Sequence, residues 1–182
     1  MNREFSARRV PAVWVLLAAT WLVSACATPA KPRPAPAGSP GTVVDADLAS
    51  QFGAALAGTA AELRREGRRL RVVLPAQMLF LTDTATVAPQ ASAALAPMLA
   101  VMAAHSGLHV KIHAHTDSLG TQAFNDEFSR QRAEAARRWL MEHGVPGEGI
   151  EAHGAGEATP VEDNVTPAGR ERNRRVELLL GP

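Results

Sequence analysis

A chain of 182 residues that is 46% apolar has enough hydrophobic material for one core, although aromatics make up only 4% of it and Tyr is absent. Its formal charge of +1 includes Arg3, Arg8, Arg9 and Glu4 of an N-terminal leader. Without them the remainder is close to neutral, which excludes the basic footprint of a nucleic-acid binder.

The leader, "MNREFSARRVPAVWVLLAATWLVSACATPA", has a basic start, an apolar run from Val10 to Val23, and small residues leading into the only cysteine of the chain. That is the layout of a secretory signal peptide, and the run is too short to span a bilayer comfortably. Val23-Ser24-Ala25-Cys26 resembles the bacterial lipobox, which implies removal of residues 1–25 and lipidation of Cys26. Ala27, in place of the Asp that retains lipoproteins in the inner membrane of enteric bacteria, points to the periplasmic face of the outer membrane. Residues 26–42 join the lipidated cysteine to a Pro/Ala/Gly tract, "ATPAKPRPAPAGSPG", with few side chains to bury. Such a tract is a semi-extended tether, reaching roughly 45 Å at polyproline rise.

Residues 43–69 read as a lead-in helical segment. Asp45 or Asp47 can cap it, and Leu48, Phe52, Leu56 and Leu63 recur at helical spacing, interrupted by Gly53 and Gly58. It is expected either to pack on the main domain or to serve self-association. The main domain runs from residue 70 to 182. Leu70–Phe80 is strand-like with Pro75 inside it, and Pro89–Gly107 is a helix with Leu95, Leu99 and Met102 on one side. Leu108–Thr116 alternates, sending Leu108, Val110, Ile112 and Ala114 to a core and His109, Lys111, His113 and His115 away from it. Thr121–His143 is a long helix closed by Gly144, with Phe124, Phe128, Ala135 and Trp139 as its expected buried stripe. "GIEAHGAG" and "RRVELLL" are the last two strands. The fold class is therefore α+β: a β-α-β-α-β-β mixed sheet with helices packed on one face, preceded by the lead-in helix.

One constellation stands out. Asn125, Ser129 and Arg132, spaced by four and three, line one side of the long helix. Asp117 sits at the end of the preceding strand. A carboxylate and a guanidinium facing each other across a shallow pocket suit a zwitterion: Asp accepts from an ammonium, and Arg grips a carboxylate with two parallel hydrogen bonds. Asp117 is also positioned to act only as a helix cap.

"HTDSLGTQAFNDEFSRQRAEAARRWLMEHGV", "GAGEATPVEDN" and "GRERNRRVELLL" together resemble the OmpA/MotB/Pal C-terminal domain family, over about Leu70 to Leu180. The resemblance implies noncovalent binding of peptidoglycan through the diaminopimelate of its stem peptide. It assigns the ammonium and carboxylate contacts to Asp117 and Arg132, with Thr116 and Asn125 on the pocket rim. Asp83, in "FLTDTATV", falls in the loop after the first strand, where Leu81 replaces the family's usual acidic residue. Arg174 matches a ligand-side arginine, with Arg175 as the alternative, and Ala114 replaces a usual glycine. Both contact residues are expected on a solvent-facing rim.

The implied partners are peptidoglycan, the outer membrane through the lipid anchor, and envelope proteins. The alternative role is that of an envelope assembly or scaffolding lipoprotein, as Pal-like members are with Tol components. No cofactor, metal or enzymatic activity is expected. His109, His113 and His115 lack a carboxylate or cysteine at ligating spacing, and no nucleophile elbow or phosphate loop occurs.

Overall fold

Alternation of apolar residues along three neighbouring strands sets the architecture. The computed structural model describes residues 46–181; the leader, Cys26 and the tether lie outside the described residues. Leu70, Val72 and Leu74 of β2 (Arg69–Pro75), Val110, Ile112 and Ala114 of β3 (His109–His115), and Val176, Leu178 and Leu180 of β5 (Arg175–Gly181) are all buried. With β1 (Glu62–Glu66) and β4 (Ile150–Gly156) they form one five-stranded sheet in the order β1-β2-β5-β3-β4. Only the β3–β4 pair is parallel.

Because successive side chains point to opposite faces, the nine apolar residues share one face of the sheet. Helices α1 (Ala46–Leu56), α3 (Pro89–Ala104) and α4 (Gln122–Glu142) add Phe52, Leu95, Met98, Met102 and Leu140 to the same cluster. Burying each such side chain stabilises the fold by about 1.5–3 kcal/mol. The mixed α+β sheet expected from the sequence is the one observed. The opposite face carries charge: Glu177 accepts from Arg175 Nε at 2.7 Å and from Arg71, which also pairs with Glu66 at 2.6 Å.

The lead-in segment departs from expectation. Leu48, Phe52 and Leu56 are indeed buried along α1, but the helix stops at Leu56, and the rest of the segment is the first arm of a β-hairpin. Gly58 (φ 78°) takes the chain out of the helix. Glu66 pairs with Arg69 across a tight turn whose first residue, Gly67, has φ 60°. A turn of that hand needs positive φ, which glycine adopts without strain. The charged residues of "ELRRE" suit β1 to an edge position, where they discourage further strand pairing. The helical spacing from Leu56 to Leu63 was coincidental: Leu63 lies on a strand, packed against the core.

The strand expected to reach Phe80 ends at Pro75 and gives way to a single helical turn, α2 (Ala76–Leu79), after which Phe80 bridges to Val87. Helix α4 keeps its expected limits, with the Thr121 hydroxyl accepting from Phe124 N at its start. A further short helix, α5 (Pro167–Asn173), separates β4 from β5; Thr166 caps it and Pro167 occupies its first turn.

Helix α4 lies unusually close to β4. A Cβ on Gly154 would stand 2.4 Å from the backbone nitrogen of Arg130 and 2.7 Å from Ser129 Oγ. Gly154→Ala should therefore cost about 1–3 kcal/mol through overpacking, read from chemical denaturation. An unchanged midpoint would mean that α4 lifts off the sheet without penalty.

Candidate functional site

The site forms where β3 leaves the sheet. Thr116 N donates to Gly156 O at 2.9 Å, which ties the end of β3 to the end of β4. The next residue, Asp117, turns the chain: its Oδ1 accepts from Leu119 N at 3.0 Å. The helix cap is Thr121 and not Asp117. Asp117 Oδ2 accepts instead from Arg174 Nη1 at 2.6 Å.

Helix α4 is turned differently from expectation. Ala135 and Trp139 are buried, but Phe124 is 59% exposed and Phe128 is half-buried. Asn125, Ser129 and Arg132 take the inward positions, with at most 4% exposure, and Asp117 is only 7% exposed. Neither contact residue lies on the solvent-facing rim expected of it. Burial of so polar a stripe requires partners. Asn125 Nδ2 donates to Asp117 O at 3.2 Å and to the Glu157 carboxylate. Ser129 Oγ donates to Asp126 O at 2.9 Å and accepts from Gly156 N at 3.0 Å.

Arg132 is held without a carboxylate. Its Nε donates to Thr84 O at 2.9 Å, which pins the loop after Phe80. Its guanidinium lies 4.2 Å from the centre of the Phe128 ring and 5.1 Å from that of Phe80. Among the described residues it forms no ion pair. Burial pushes its pKa down to about 10; Arg174 adds to this, while the charges of Asp83 and Asp117 work against it. The group is still a cation at neutral pH, desolvated and in no direct ion pair among the described residues.

Asp83, Thr116, Asp117, Asn125, Arg132 and Arg174 all line one cavity of about 560 Å³. Asp83 has φ 52°, a conformation that Asp tolerates better than most side chains. Thr116 is buried and its hydroxyl has no hydrogen-bond partner among the described residues. The two candidate arginines part company: Arg174 faces the cavity, whereas Arg175 turns to the opposite face, bonding Glu177 and Thr159 O. Sequence reasoning missed the aromatic clamp. Phe80 and Phe128 sit beside motif residues, and their spacing to Arg132 (i, i+4 for Phe128) was the available signal. The neighbouring Asn173, fully buried, bonds Val161 N, Glu162 N and Glu162 O, and so shapes the loop before α5.

On the opposite face, the His113 and His153 rings lie 5.5 Å apart, and no cluster of three ligating side chains occurs among the described residues. The pocket thus offers an open cation, a carboxylate and an unsatisfied hydroxyl, an arrangement for holding a small charged molecule.

A mixed sheet that gathers these groups where β3 ends and β5 begins defines an α+β domain with a polar pocket on α4. The chain belongs to the OmpA family, which residues 79–174 match. It is 33% identical to the outer-membrane lipoprotein YfiB of Pseudomonas aeruginosa, over 65% of this chain and 70% of that protein. It is 31% identical to the probable lipoprotein YiaD of Escherichia coli, over 69% and 57%. The crystal structure of the peptidoglycan-associated lipoprotein from Burkholderia pseudomallei superposes with a TM-score of 0.52 at 30% identity, over 59% of this chain and 88% of that one. The chain spans 57% of YiaD and 33% or less of larger curated relatives such as outer membrane porin F of Pseudomonas fluorescens.

Behind the pocket, His115 is 4% exposed; its Nδ1 meets Thr159 Oγ1, and its Nε2, 3.8 Å from Glu177, has no hydrogen-bond partner among the described residues. Burial, then Arg175, His113 and Arg71, push the imidazole down from 6.5 to about 4, against the pull of Glu177. The unfolded chain takes up this proton below pH 6.5 and the folded chain only below about 4, so stability falls as pH drops through that window. In denaturation series from pH 7 to 4, His115→Gln should flatten the slope by up to one proton. An unchanged slope would mean that His115 is charged in the folded protein.

Proposed function

We propose that this chain is a lipid-anchored protein of the outer membrane whose periplasmic domain grips peptidoglycan noncovalently, tethering the membrane to the cell wall. The ligand is the diaminopimelate of the stem peptide, with its carboxylate on Arg132 and its ammonium on Asp117. The observation that carries the reading is the buried Arg132 guanidinium, which has no carboxylate of its own and opens into the same pocket as Asp117. A ligand that brings one carboxylate and one ammonium supplies the charge that Arg132 lacks and takes the place of Arg174 on Asp117, and charge-assisted, bidentate contacts favour it over neutral amino acids. The lipobox at Cys26 and the tether after it agree with relatives named as outer-membrane and peptidoglycan-associated lipoproteins. Binding at each pocket is of roughly micromolar to millimolar strength for so small a ligand. Many copies in one membrane hold firmly through avidity.

Arg132→Ala and Asp117→Ala should each weaken sacculus binding by about 2–5 kcal/mol, roughly 30- to several-thousand-fold. Free diaminopimelate should compete with the wild-type chain. Arg130→Ala is the control: that side chain is exposed and pairs with Glu127, at 2.7 and 2.9 Å. Full sacculus binding by Arg132→Ala protein that melts cooperatively would refute the site. For the anchor, metabolic labelling with a fatty-acid analogue should mark the wild type and leave Cys26→Ser unmarked. Equal labelling of the two would remove the lipoprotein reading.

A further inference from the structure

The fold uses only part of what the Arg132 guanidinium can donate. Nε donates to Thr84 O at 2.9 Å, and neither Nη1 nor Nη2 has a hydrogen-bond partner among the described residues. What surrounds this buried cation is aromatic. Its Cζ stands 4.2 Å from the centre of the Phe128 ring and 5.1 Å from that of Phe80. Both distances fall inside the range, about 6 Å, over which the electron-rich face of a ring attracts a cation.

The two rings are themselves held. Phe80 is buried, its N donates to Ala76 O at 2.8 Å, and it bridges to Val87. Phe128 is half-buried and lies one turn before Arg132 on α4. Its outer side rests on Phe124, with ring centres 5.5 Å apart and planes at 16°. An acidic residue in place of either ring would neutralise the cation more completely, through charge-assisted hydrogen bonds. It would also take the N–H donors that a ligand's carboxylate needs. A ring attracts the charge and leaves those donors free. Holding the side chain before binding also spares the complex the cost of ordering it.

We infer that Phe128 is a positioning residue for the carboxylate contact: with Phe80 it stands where a counter-ion would stand, fixing the Arg132 guanidinium in the pocket while leaving its Nη donors to the ligand. The inference rests on the proposed function and adds the group that keeps Arg132 ready. Phe128 acts through Arg132, so its effect follows the electron density of the ring as well as the space it fills.

The test replaces Phe128, in the full chain in detergent, with phenylalanine analogues that carry one, two or three ring fluorines. Fluorine draws electron density from the ring face and weakens its hold on a cation, with little change in size or apolarity. Isothermal titration calorimetry measures affinity for free diaminopimelate, and thermal melts report the fold. Loss of the whole cation–π contact is worth about 2- to 30-fold in affinity. Affinity should therefore fall with each added fluorine towards that limit. Phe128→Tyr, which keeps the ring, should stay within about 2-fold of wild type, and Phe128→Leu should show the full loss. Constant affinity across the fluorinated series would overturn the inference even if Phe128→Leu binds poorly, because the ring would then only fill space. Melting temperatures that fall while affinity holds would overturn it too, leaving Phe128 a structural residue. In either case, wild-type binding that Arg132→Ala abolishes leaves the proposed function standing. Wild-type protein that does not bind diaminopimelate would remove the proposed function and the positioning role together.

Discussion

The pocket depends on one constraint: α4 presents polar side chains to the sheet where an ordinary amphipathic helix would present leucines. Asn125, Ser129 and Arg132 occupy the inward positions of its first half, and Ala133, Ala136 and Leu140 those of its second. The exchange is tolerable because every inward polar group has a partner, and because Gly154 lets the helix backbone come close enough to β4 for Ser129 to reach Gly156 N. An unpartnered polar group at this depth would cost about 1–3 kcal/mol. The same contact fixes the loop beyond β4, the end of β3 and the first turn of α4 relative to one another. Arg132 then fastens the fourth wall through Thr84.

The central strands of the domain were legible because alternation is a local property, and β3 follows it residue by residue, while β5 carries an apolar run. The hairpin at Glu62–Pro75 was not, because a short charged edge strand carries no apolar period and Leu63 happens to continue the spacing of α1. The orientation of α4 was misread for a related reason. Hydrophobicity alone selects Phe124 and Phe128 for the interior, whereas the hydrogen-bond partners that admit Asn125 and Ser129 come from residues up to 32 positions away. The six pocket residues were found through their motifs, and the fold brings them to one cavity. What spacing could not supply was the division between Arg174 and Arg175. Strand alternation at the start of β5 sends one to the pocket and the other to the opposite face.

That opposite face is a second electrostatic system, built around Glu177. Burial works to raise its carboxyl, but the hydrogen bond from Arg175, followed by the charges of Arg175, His115 and Arg71, carries it below the usual range. Removing one member of so buried a network leaves the others uncompensated, which is typically more damaging than the network is stabilising. His115, the last residue of β3, and Thr116, just beyond it, belong to different systems, one behind the sheet and one in the pocket. The sheet itself is the partition.

Under the proposed function, the pairing of Arg174 with Asp117 has a kinetic consequence. An arriving ammonium does not meet a free carboxylate; it has to replace a guanidinium already 2.6 Å from Asp117 Oδ2. The step is an ion exchange within the site, close to charge-neutral for Asp117. The returning arginine competes with the ligand for Asp117. Such an internal competitor shortens the lifetime of each grip. On that reading, a membrane fastened by many such pockets would shift along a growing wall one attachment at a time, with the ensemble never letting go.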